Sequence, residues 1–167
     1  IKKNGLVYRY ISNEFKTDQT LALAAVTQNS AVFEYFSPLL QSEKKVALEA
    51  VKPTKYAYDN LAHNAFNHLP ETLKADFDIA LTVMAQDINF FYKLPNALKN
   101  DPAFIHRVIR QDGNAINVIP NVFKSTPKIK FMALIQQAEQ EIPCAQHALG
   151  NMFFEGKGVR KDYLAAF

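Results

Sequence analysis

Cys144 and His147 stand three residues apart, just after Pro143, so on a helix a thiol and an imidazole would meet within one turn as nucleophile and base. No Asp or Asn is placed by spacing to orient that imidazole. A single small thiol is more commonly a buried apolar residue, and that is the expectation for Cys144, which is also the only cysteine and so has no disulfide partner within the chain. His63 and His68 are five residues apart, about 500° round a helix, so they do not share a face as an i, i+4 metal-binding pair does. Gly156-Lys157-Gly158 is too short for a phosphate-cradling loop. No catalytic residues, metal ligands or cofactor are expected, and the chain does not read as an enzyme.

Non-covalent recognition has better candidates. Lys16, Lys74, Lys99 and Lys124 fall at one repeating position, with Gln41 as its fifth occupant. Lysines there either interact with the free carbonyls and dipole at a helix C-terminal end or form a cationic ladder facing an acidic partner or a nucleic-acid backbone. Acids two residues further on, at Asp18, Glu43, Asp76 and Asp101, largely neutralise such a ladder. Tyr10, Tyr35, Tyr56, Tyr58, Tyr92 and Phe90 stand outside the invariant apolar positions, and amphipathic aromatics are favoured at interfaces. His106 falls among apolar equivalents Leu23, Leu48, Leu81 and Phe131, so a partly buried structural role is expected.

The elements that carry these residues recur. A short tract ends at Asp18, Glu43, Asp76, Asp101 and Thr126, spaced by 25, 33, 25 and 25 residues. These five residues are the anchors of a 25-residue repeat with one insertion of eight near 52–61. Ten before the anchors stand Tyr8, Phe33, Phe66, Phe91 and Ile116; seven before, Ile11, Phe36, Leu69, Leu94 and Ile119; three before, Phe15, Leu40, Leu73, Leu98 and Phe123. Every one is large and apolar. After the anchors, apolar residues fall at the third, fourth, seventh and eighth places, as in Phe104, Ile105, Val108 and Ile109, which is one stripe of a helix.

Local chemistry agrees. Asp101-Pro102 and Thr126-Pro127 put a side-chain acceptor at the N-cap and proline at the first helical position. Asp18 and Asp76 cap alike, with Ser42 expected to do so in the second repeat. Asn29-Ser30, Asp87-Ile88 and Asp112-Gly113 break a first helix from a second, and Pro38, Pro70, Pro95 and Pro120 end the second. Helices this short are marginal alone, so stacking on neighbours must stabilise them. The expected fold is all-α: a right-handed α-solenoid of short two-helix repeats over 1–142, followed by a helical segment at 143–167 in a different register.

The 167 residues are 49% hydrophobic and 21% charged, a globular composition, and a formal charge of +3 is too small and dispersed to announce nucleic acid or an anionic membrane. No apolar run approaches the ~20 residues of a membrane span. Ile1 at the start and a helix-like stretch at Leu164–Phe167 suggest a piece of a longer protein, and compartment and oligomeric state are not indicated.

The 25-residue units, over residues 1 to about 140, resemble the bacterial DUF4116 repeat family, which implies helical repeats and no reaction. From Ala145 onward, Leu149-Gly150, Met152-Phe153, Gly156, Gly158-Val159, Asp162-Tyr163 and Ala166-Phe167 resemble the first two-thirds of a Sel1-like repeat, a relative of the tetratricopeptide hairpin. Phe153 stands where that family usually has Tyr. In that pattern Gly150 permits helix contact, Gly156 and Gly158 turn the chain and Asp162 caps the next helix. Sel1-like arrays are adaptors that hold protein partners, often in secreted or host-contacting bacterial proteins. The expected function is therefore a protein-interaction scaffold, with the insertion and exposed tyrosines as contacts. The alternatives are an accessory or regulatory helical domain of an enzyme whose catalytic part lies elsewhere and, less favoured, RNA reading by helical repeats.

Overall fold

A computed structural model describes residues 5–53 and 61–166. The described residues are helical throughout, with no strand among them. They form two compact units, 1–90 and 91–167.

All five anchors are the N-caps of the first helix of a repeat: Asp18 for α1 (Gln19–Gln28), Glu43 for α3 (Lys44–Ala50), Asp76 for α6 (Phe77–Met84), Asp101 for α8 (Pro102–Gln111) and Thr126 for α10 (Pro127–Glu139). The reason is backbone chemistry. The first turn of a helix leaves N–H groups without partners, and a short acidic side chain just before it accepts them. Asp101 Oδ1 accepts from Ala103 N at 2.7 Å and Phe104 N at 3.2 Å, and Asp18 and Asp76 repeat the arrangement. Glu43 and Thr126 hold the same backbone position without a side-chain cap. Ser42 does not cap α3. Its hydroxyl donates back to the Pro38 carbonyl at 2.8 Å and closes the preceding helix. Asp101→Ala is therefore expected to lower stability by ~1 kcal/mol, against little change for Thr126→Ala, as read by urea unfolding.

A second cap column lies eleven residues after the anchors. Asn29, Asp87 and Asp112 accept from the backbone N–H two residues on, at 2.9, 2.9 and 2.8 Å. The segment that each of them opens is a 3-10 helix rather than the expected α-helix: Ser30–Tyr35, Ile88–Lys93 and Gly113–Asn117, with Gly5–Tyr10 at the equivalent place before α1. Only α4 (Leu61–Asn67), after the insertion, is α-helical there. Proline then does more than stop the chain. Pro38 is the first residue, and Pro70, Pro95 and Pro120 are the N-caps, of one-turn α-helices α2 (Pro38–Gln41), α5 (Glu71–Lys74), α7 (Asn96–Lys99) and α9 (Asn121–Lys124), each ending just before the next anchor.

The unit 1–90 is built on α1, α3, α4 and α6 with their 3-10 segments. Ala22, Ala25, Val26, Val46, Ala47, Ala50, Val51, Ile79, Ala80 and Val83 are fully buried, so the third, fourth, seventh and eighth places form the core, with Leu21 alone among them half-buried. Tyr8, Phe33 and Phe36 add an aromatic cluster, with Tyr8–Phe36 centroids 4.6 Å apart and Phe33–Phe36 edge-to-face at 5.6 Å. Burial beside the Asp18 charge raises the Tyr8 phenol above its usual range, and its hydroxyl donates to the Lys16 carbonyl at 3.0 Å. Phe15 breaks its column: it is 53% exposed, whereas Leu40 is buried. Its segment lacks the entry proline and winds as a 3-10 helix, Asn13–Thr17, which turns successive side chains by a different angle. Consecutive repeats are tied by Thr27 Oγ1 to Glu49 at 3.2 Å, by Lys44 bridging Asp76 at 2.7 Å and Asp78 at 2.8 Å, and by Gln86 donating to the Val51 carbonyl at 2.7 Å. The two carboxylates hold the Lys44 ammonium above its ordinary pKa.

In the unit 91–167, α8 buries Phe104, Ile105, Val108 and Ile109, and α10 buries Ile129 and Ala133, while Lys130 at the fourth place is exposed. The 3-10 segment Gly113–Asn117 lies against α10: Gln137 Nε2 reaches the Gly113 carbonyl at 3.4 Å, and a Cβ on Gly113 would stand 2.5 Å from the Ala133 carbonyl oxygen. Helix α11 (Pro143–Glu155) packs on α10, with Phe131 and Phe153 edge-to-face at 6.1 Å.

Candidate functional site

Two columns separate the apolar positions ten and seven residues before each anchor, which are buried except for the half-buried Ile11 and Ile116. In the unit 1–90 they hold Arg9-Tyr10, Glu34-Tyr35 and Asn67-His68, all exposed, on the outer face of Gly5–Tyr10, Ser30–Tyr35 and the end of α4. The winding explains the arrangement in the two 3-10 segments: with about three residues per turn, turning residues three apart inward turns the two between them outward together.

These side chains touch from repeat to repeat. The Arg9 guanidinium lies 5.1 Å from the centroid of the Tyr10 ring and 5.1 Å from that of Tyr35, a cation held by two aromatic faces. Glu34 accepts a hydrogen bond from Tyr35, which raises the phenol pKa, and burial adds to this while Arg9 opposes it. On its other side Glu34 meets His68, with Nε2 to Oε2 at 3.9 Å. The result is one continuous polar-aromatic ridge, Tyr10–Arg9–Tyr35–Glu34–His68, spanning three repeats. Tyr10 at 77% and Tyr35 at 37% exposure are both on it.

In the unit 91–167 the same two columns hold Tyr92-Lys93 and Asn117-Val118. Tyr92 is 63% exposed and edge-to-face with the buried Phe91. Phe90 is buried and packs on Phe66 at 4.9 Å, so its expected surface role falls away. Tyr56 and Tyr58 lie outside the described residues.

The lysine column sits elsewhere and is half-buried at Lys16, Lys74, Lys99 and Lys124. Lys99 Nζ donates to the Tyr92 carbonyl at 3.3 Å and Lys124 Nζ to the Asn117 carbonyl at 2.7 Å. Gln41 Nε2 does the same to Phe33 at 3.0 Å, and Lys74 pairs instead with Glu71 at 2.9 Å. Three of the five side chains thus return from a one-turn helix to a carbonyl of the preceding segment of their own repeat. An N–H donor is what the position needs, which is why an uncharged Gln serves among lysines.

Near the other end, Cys144 is exposed rather than buried. His147 bonds Asn151 at 3.1 Å on the same helix. His106 is half-buried, as its apolar column implies. Among the described residues no group of three or more His, Cys, Asp or Glu converges as metal ligands, and no helix is long and apolar enough to cross a membrane. Openings of about 580 and 440 Å³ lie along α11 beside Gln146, Gly150 and Ala166, with no titratable cluster converging on them.

Neither a curated protein nor a solved structure matches the chain. Residues 1–41, which carry the ridge residues Arg9, Tyr10, Glu34 and Tyr35, are similar to a family of sequences described as Domain of unknown function (DUF4116), whose model matches them.

Proposed function

We propose that the chain is a protein-interaction scaffold, a helical-repeat array of the α-solenoid kind that binds its partner along the exposed ridge Tyr10–Arg9–Tyr35–Glu34–His68. The observation that carries this reading is the placing of two exposed tyrosines from successive repeats around one arginine. Tyr and Arg are, with Trp, enriched among the few residues that dominate binding energy at interfaces, and the two cation–π contacts hold this arginine in place before a partner arrives.

The segment 143–167 is, on the same proposal, a Sel1-like hairpin, an adaptor element. Three local features support it. A Cβ on Gly150 would stand 2.9 Å from the Ala166 carbonyl oxygen, Gly156 and Gly158 take left-handed φ of +71° and +77°, and Asp162 accepts from Leu164 N at 3.0 Å and Ala165 N at 3.1 Å.

The test is capture of partners by the immobilised chain from a lysate, read by quantitative mass spectrometry. Tyr10→Ala with Tyr35→Ala is expected to reduce the captured partner by roughly thirtyfold, the scale of one interface hot spot, at unchanged melting temperature. Capture by the folded double variant at the level of the parent would remove the ridge from the interface.

A further inference from the structure

The ridge carries information about the chemistry of its occupant. At the flanking positions, ten and seven before the anchor, the three repeats of the unit 1–90 use large apolar residues, Tyr8, Phe33, Phe66 and Ile11, Phe36, Leu69. Between them the exposed pairs change from Arg-Tyr to Glu-Tyr to Asn-His. A fixed frame therefore presents a different side-chain pair in each repeat, on surfaces that touch one another.

Spacing and charge narrow the occupant. Neighbouring packed helices lie about 8–10 Å apart, and an extended chain advances about 3.3–3.6 Å per residue, so one repeat corresponds to about three residues of an extended ligand. The ridge is mixed in sign, with a cation at Arg9 and an anion at Glu34. Residues 1–90 contain nine Lys and Arg against ten Asp and Glu, which is a poor field for a phosphate backbone. The Arg9 guanidinium carbon lies over two rings, and the N–H donors of a guanidinium grip a carboxylate by two parallel hydrogen bonds. A carboxylate has about four acceptor sites, so Glu34 keeps capacity beyond Tyr35 and His68 for an incoming cation.

We propose that the ridge binds an extended peptide that sets an acidic side chain against Arg9 and, about three residues along, a basic side chain against Glu34; this rests on the interaction role given to the ridge above. The Tyr35 ring then supplies the apolar floor between the two charged contacts, with Tyr10 beyond Arg9. A single-stranded nucleic acid, the other extended ligand that repeats can read, lacks the cation that Glu34 requires.

Selection of random dodecapeptides displayed on phage, with the whole chain as bait, tests this directly. The expected result is enrichment of peptides with an acid and a base about three residues apart. Binding of a synthetic peptide from that pool, followed by fluorescence polarisation, should weaken about tenfold or more with Arg9→Gln, less with Arg9→Lys, and about tenfold with Glu34→Gln. Selection on Arg9→Gln should lose the acid and keep the base, and selection on Glu34→Gln should do the reverse. Enrichment of one charge sign alone, or preferences unchanged by either substitution, would overturn the proposal, as would steeply salt-dependent binding of a dT20 oligonucleotide at the same residues. No enrichment on a chain whose lysate capture still depends on Tyr10 and Tyr35 overturns the peptide and leaves the interaction role; loss of that dependence as well removes both.

Discussion

Phe33→Ala is expected to destabilise the chain by ~3–5 kcal/mol, the range for deleting a buried aromatic ring from a packed core. Phe33 has no exposed surface and sits edge-to-face with Phe36, which stacks in turn near Tyr8. The truncation would remove the ring that backs Phe36, whose own contact with Tyr8 joins two repeats, and the backbone around it is already fixed by the Asn29 cap. Phe15→Ala is the matched comparison. It too is a large aromatic in a periodic apolar column, but it is 53% exposed, and ~1 kcal/mol or less is expected. Urea unfolding of the two variants separates burial from pattern; equal losses would mean that Phe15 is packed.

Gly113→Ala is the second large effect, an expected loss of at least ~2–3 kcal/mol from forced overpacking. The added methyl would meet the Ala133 carbonyl oxygen at 2.5 Å and Gln137 N at 2.9 Å, both backbone atoms of α10 that have no rotamer by which to withdraw. Gly150→Ala brings one such contact, 2.9 Å to the Ala166 carbonyl oxygen, and should cost less. Melting temperatures measured under one condition check the order. An unchanged melting temperature for Gly113→Ala would show that the 113–117 segment does not lie directly against α10.

The repeat was legible in the sequence because its punctuation is backbone chemistry. A helix start needs an acceptor, and Asp18, Asp76 and Asp101 supply it at intervals that survive an eight-residue insertion. The apolar columns were legible for the same reason, since helices this short must share a core. The 3-10 form of the second segment was not, because over six residues a period of 3.0 and one of 3.6 place the same two apolar residues inward. Ser42 misled because its hydroxyl has two backbone choices within one turn, and it takes the carbonyl behind it.

The candidate site was half legible. Tyr10, Tyr35 and Tyr92 stood out as aromatic residues outside the core pattern, and all three are exposed. Arg9 and Glu34 did not stand out, and His68 drew notice only as a metal-ligand candidate, because a column whose occupants vary in charge and polarity between repeats leaves no periodic signal. The one available signal was position, between two columns that are always apolar. The lysines drew attention through the opposite property, a repeated charge, and that repetition reflects a local need for an N–H donor at a carbonyl.

Amide hydrogen exchange on the chain with and without its captured partner is the most direct measurement of where binding occurs. A contact along the ridge predicts slowed exchange in the segments 5–10, 30–35 and 64–68, with the one-turn helices that carry Lys99 and Lys124 unaffected. Protection confined to those one-turn helices, or to α11, with the three ridge segments exchanging as in the free chain, would contradict it.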